Sequence, residues 1–132
     1  MDVNEVSRIS QGVVIKGDLY SQSDIRVDGR IEGMIISDGR IVVGESATIN
    51  GSLMCSNLDL WGDAQADIYV SDLFSIKSTA RVTGNIHVRK LQVEMGAQLN
   101  GTCRMISEEE FAGKREALVK DFPTAATPGA AE

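Results

Sequence analysis

The chain has 132 residues and a formal charge of −6, and it carries 13 glycines, two prolines and only six aromatic side chains. One compact domain plus a tail is the natural division of that length, and its core must be built from small and branched aliphatic residues. A pI near 4.8 works against phosphate backbones and anionic lipid, which need clustered Lys and Arg, so nucleic acid is not an expected partner.

Residues 1–11 read as a flexible N-terminal tail. Asp2 and Glu5 against a single base, Arg8, give little support for membrane contact. Apolar runs such as Ile41-Val42-Val43 are too short to cross a bilayer, and no positively charged start precedes a long apolar stretch. The expected location is therefore the cytoplasm, with the inner membrane face as an open alternative.

From residue 12 to 106 one unit recurs, Val/Ile-x-Gly-x-Ile/Leu. It is seen in Ile15-Lys16-Gly17-Asp18-Leu19, Ile31-Glu32-Gly33-Met34-Ile35, Ile49-Asn50-Gly51-Ser52-Leu53, Ala64-Gln65-Ala66-Asp67-Ile68, Val82-Thr83-Gly84-Asn85-Ile86 and Leu99-Asn100-Gly101-Thr102-Cys103. The central residues are spaced by 16, 18, 15, 18 and 17. A second alternating pair follows most units: Ile25/Val27, Ile41/Val43, Leu58/Leu60, Phe74/Ile76 and Leu91/Val93. A small residue, at Gly29, Ala47, Gly62, Ala80 or Ala97, then marks a corner. Alternation at period two is the signature of a strand with one buried face. A loop of 15–18 residues is too small to stand alone and becomes stable only by stacking on its neighbours at roughly 4.8 Å. The pattern thus predicts an all-β fold: a single short parallel β-helix of about six coils, with interior ladders such as Ile15/Ile31/Ile49/Ala64/Val82/Leu99.

Cys55 and Cys103 fall on inward ladders about three coils apart, roughly 14 Å by the strand spacing. That is too far for a disulfide, and they lack Cys-x-x-Cys metal spacing. Both are expected to be buried, inert thiols.

Ser107-Glu108-Glu109-Glu110 reads as a capping box, followed by Phe111, Leu118 and Phe122 at helical spacing until Pro123. Residues 107–122 are therefore expected to form an amphipathic helix that packs on the β-helix or caps its last coil. Residues 123–132, rich in Ala, Thr, Pro and Gly, read as a disordered tail.

The segments Val27-Asp28-Gly29-Arg30-Ile31-Glu32-Gly33, Ala47 to Gly51 and Gly96-Ala97-Gln98-Leu99-Asn100-Gly101 resemble the bactofilin family across residues 12–106. The resemblance implies a right-handed triangular solenoid that polymerises end to end, without nucleotide, into filaments lacking polarity. It further implies a scaffold in cell shape, cell-wall synthesis or the positioning of other proteins. Many members carry an aromatic residue where this chain has Leu99, so the contact implied there is aliphatic here.

The ends of a stack present unpaired backbone and half a core. The expected polymer interfaces are Val13, Ile15 and Leu19 at one end, and Leu91, Val93, Leu99, Cys103 and Met105 at the other. An outward column, Tyr20/Ile36/Met54/Tyr69/His87/Arg104, is unusually apolar beside Met34. Met34, Ile36, Met54 and Tyr69, with the corner residue Trp61, form a candidate surface for an unidentified protein partner.

Catalysis finds little to work with. His87 is the only histidine and reads as a solvated strand residue. Asp59 and Asp63 fall on turns without a cleft to desolvate them, and Gly44-Glu45-Ser46 lacks the Gly-Lys-Ser/Thr ending of a P-loop. No enzyme activity, metal or cofactor is expected. Against the polymerising scaffold stand a non-polymerising adaptor capped by its C-terminal helix and, further off, a hexapeptide-type acyltransferase.

Overall fold

A computed structural model describes residues 6–119. In chain order it contains β1 (Val6–Ile9), β2 (Val14–Lys16), β3 (Leu19–Ser21), β4 (Asp24–Val27), β5 (Arg30–Ser37), β6 (Arg40–Val43), β7 (Thr48–Leu60), β8 (Asp63–Ile76), β9 (Arg81–Val93), β10 (Gln98–Met105) and α1 (Glu108–Val119). Every strand pairing is parallel, each strand lying on the one a coil away. The chain is a solenoid of about six coils.

Each coil has three short sides. In the second coil Arg30 to Gly33 make the first, Met34 to Ser37 the second and β6 the third, and the next coil repeats them in register. The predicted ladders are present rung for rung. Ile15, Ile31, Ile49, Ala64, Val82 and Leu99 stack in one file, and Ile25, Ile41, Leu58, Phe74 and Leu91 in another. From Ile31 to Val88 the rungs are almost fully buried. A fully buried aliphatic side chain contributes about 1.5–3 kcal/mol, whereas an exposed ion pair contributes about 0–1 kcal/mol. The interior files, and not the surface charges, therefore hold the stack together.

The corner between the first two sides explains the central glycine of the repeat. Gly51 has φ +138°, and a methyl group built on it would run into the carbonyl oxygen of Gly33 in the coil before. Coil four solves the corner differently. It is the short step of 15 residues, and Ala64, Ala66, Ile68 and Val70 alternate inward along one continuous strand, with no positive φ at Ala66.

Two expectations need correction here. The N-terminal segment is not a tail throughout: β1 pairs with β4, Ile9 opposite Val27, and Ile9 is buried. And Cys103, although it continues the Leu19/Ile35/Leu53/Ile68/Ile86 file, is exposed because no coil follows it, while Cys55 is buried. Burial pushes the Cys55 thiol well above its ordinary range, which keeps it protonated and inert.

Candidate assembly surfaces

The two ends of the solenoid are built unequally. At the upper end β1 covers only the side formed by β4, so Ile25 is buried while Ile15 and Leu19 are half-buried and Val13 and Val14 are 43% and 54% exposed. At the lower end a whole coil edge is open. All of β10 is exposed, and Leu91, Val93, Leu99 and Met105 form an apolar rim around the coil with Cys103 among them. Their inward direction is dictated by alternation, so they project toward the space that a further coil would fill.

The helix does not lie across that edge. Ser107 caps α1 as the capping box requires: its Oγ accepts from the Glu110 amide at 3.1 Å, and the Ser107 amide donates to the Glu110 carboxylate at 3.2 Å. α1 then folds back along the outside of the solenoid, over the second side of the coils. Phe111 and Ile106 pack with Ile36 and Met54, bordered by Tyr20, Met34, Tyr69 and Leu118. The outward column runs in register from Tyr20 through Ile36, Met54, Tyr69 and His87 to Arg104. In this structure the chain's own helix occupies the candidate partner surface at Ile36 and Met54, and the expected cap is a lateral cover. Phe122 and the tail lie outside the described residues.

Charged contacts pin both ends of this cover. The Arg115 guanidinium donates to Asp38 at 2.6 and 3.0 Å and to the Tyr20 hydroxyl at 3.2 Å, and that hydroxyl donates to Asp38 at 2.5 Å. Burial and the bond to Asp38 raise the Tyr20 phenol above its usual range, so it stays a donor. Burial is the largest single influence and opposes the Arg115 charge, but the hydrogen bonds and attraction to Asp38 and Tyr20 together outweigh it, and the guanidinium is held more firmly protonated. At the other end Arg89 pairs with Glu108 at 2.8 Å and Arg104 with Glu110 at 3.8 Å.

His87 is half-buried and not freely solvated. It stacks on Tyr69 with ring centroids 4.6 Å apart, and its Nδ1 is buried without a hydrogen-bond partner. The two rings line an open cleft of about 420 Å³ beside α1, with Arg104, Glu110 and Lys114 on its walls. Trp61 remains 38% exposed at its corner, with the Lys77 ammonium 5.3 Å from the ring. Among the described residues no group of three or more His, Cys, Asp or Glu side chains is placed to hold a metal, and no helix is long and apolar enough to cross a membrane.

Stacked parallel coils, an aliphatic interior and an unpaired coil edge define a β-solenoid. Residues 7–104 match the family model described as "Bactofilin: Polymer-forming cytoskeletal", and the chain belongs to the bactofilin family. Among curated relatives, bactofilin BacO of Myxococcus xanthus is 25% identical over 101 residues, covering 76% of this chain and 80% of its own. BacP of the same organism is 23% identical over 121 residues, 90% of this chain and 50% of its own. The fold also matches the Thermus thermophilus bactofilin seen by cryo-EM in double helical filaments, with TM-score 0.67 and 22% identity over 76% of this chain and 99% of that one.

Proposed function

We propose that this chain is a self-assembling cytoskeletal scaffold that polymerises through its coil ends without nucleotide, in the cytoplasm, and positions partner proteins there. The observation that carries the reading is the lower edge: a complete coil of unpaired strand backbone rimmed by Leu91, Val93, Leu99 and Met105. Such an edge is a template for another chain. The upper edge, with Val13, Ile15 and Leu19, supplies the second contact needed for continuous growth. Membership in a polymer-forming family and the filaments of the Thermus relative support this reading. The rival adaptor depends on a capped lower end, and α1 lies along the side instead.

The test is assembly of the purified full chain in nucleotide-free buffer, followed by pelleting and electron microscopy. Wild type should form filaments. Leu99→Arg should raise the critical concentration at least ~100-fold, because burying a charge at a dry junction costs several kcal/mol and each 1.4 kcal/mol is tenfold. A wild-type protein that stays monomeric at high concentration would falsify the scaffold reading.

A further inference from the structure

We infer that β1 is a strap over one third of the upper coil edge: it covers the outer edge of β4, and a second copy of this chain pairs there only after β1 has come away. This rests on the polymerising reading above.

β1 makes the upper end stepped. β2, β3 and β4 are the first, second and third sides of the first coil, and β1 pairs with β4 alone. The third side therefore stands one strand, about 4.8 Å, above the other two. Two upper ends cannot close on all three sides while both straps are in place. Third side set on third side holds the other two pairs apart, and third side set on a neighbour leaves the remaining side open by one strand. With β1 removed, β2, β3 and β4 present a level coil edge. Ile15, Leu19, Ile25 and Val27 then form an apolar rim, the counterpart of Leu91, Val93, Leu99 and Met105 at the other end.

β1 is also loosely held. It has four residues and is bonded along one edge only, the kind of end segment that opens at little cost. Ser7 stands opposite Ile25, a register position filled in the coils below by Ile41, Leu58, Phe74 and Leu91. Arg8 stands opposite Arg26, and like charges side by side on paired strands repel. Asp28 is already engaged with Arg26 at 2.9 Å. The anchor is Ile9, buried opposite Val27, whose carbonyl accepts from the Asp28 amide at 2.7 Å. The same mismatch argues against β1 as a permanent part of a joint between unlike ends. Slotted onto residues 90–93 of another copy, it would set Ser7 between Ile25 and Leu91, a polar residue sealed in an apolar file at a cost.

Hydrogen exchange and critical concentration of the full chain read the strap. The amides of β1 should exchange faster in wild-type filaments than in wild-type protein dispersed below its critical concentration, while those of β4 stay protected. Ile9→Asp should release the strap and lower the critical concentration at least ~10-fold, because one buried aliphatic side chain is worth that factor or more and only the released fraction can pair. Ser7→Ile should tighten the strap and raise the critical concentration by about the same factor. Circular dichroism checks that the solenoid persists; should Ile9→Asp damage it, Ser7→Ile and the exchange rates carry the test. A β1 that belongs to the joint gives the opposite signs: slower exchange in filaments, weaker assembly with Ile9→Asp and stronger assembly with Ser7→Ile. Opposite signs or unchanged values overturn the strap. Wild type that forms no filaments strikes the scaffold reading instead.

Discussion

Gly51→Ala tests the corner geometry on which the repeat depends. The added methyl meets two obstacles: φ is +138°, and the space is filled by the Gly33 carbonyl of the adjoining coil. Backbone strain of this kind costs about 1–3 kcal/mol, and forcing a methyl into packed backbone costs about 1–3 more. The expected loss is about 2–6 kcal/mol, a large share of the ~5–15 kcal/mol of a typical domain. Ala66→Gly is the natural control, because coil four already carries a methyl in this file at an ordinary backbone angle. There the change should cost only about 0.5–1 kcal/mol, through added freedom of the unfolded chain. Denaturant unfolding in the Leu99→Arg background keeps assembly from adding to stability. A Gly51→Ala protein within 1 kcal/mol of its parent would refute the reasoning, since the clash would have been relieved at little expense.

The two thiols report on burial and assembly together. Maleimide should label Cys103 rapidly in dispersed protein and slowly in filaments, while Cys55 stays unlabelled in both; equal Cys103 rates would place the junction elsewhere. Cys55 also predicts an alkaline weakness. Its folded pKa is raised, so above its ordinary value of 9.0 the unfolded chain releases a proton that the folded chain retains. Stability should therefore fall with rising pH by up to about 1.4 kcal/mol per unit. Cys55→Ala should flatten that slope between pH 9 and 10.5, and unchanged slopes in unfolding titrations would exclude the thiol as its source.

The interior was legible because alternation at period two and a near-constant coil length specify which residues share a file. Ile15 to Leu99 and Leu19 to Cys103 stack as the repeat predicts. β1 escaped notice because Ser7 stands opposite Ile25 where the file calls for an aliphatic residue; Ile9, in line with Val27 and Val43, was the available signal. The helix seat was harder to find. An apolar outer column and an apolar helical stripe were both visible, but nothing local matches Arg115 to Asp38 across 77 positions. His87 shows a related limit: a strand residue reads as solvated until its in-register neighbour, here Tyr69, stacks on it. Cys103 shows a different limit, since a ladder position implies burial only while another coil follows.

The all-parallel pairing has a consequence for how copies meet. Every coil circulates in the same sense around the axis, and a twofold axis placed across a junction of like ends reverses that sense. Strands meeting there run antiparallel, so a seam between like ends is not one more turn of the same spiral but a distinct bonding pattern recurring once per junction. Such a filament contains two kinds of seam, one between upper ends partly roofed by β1 and one between fully open lower ends. On dilution it should part first at the weaker kind, leaving paired molecules and not single ones as the unit of exchange.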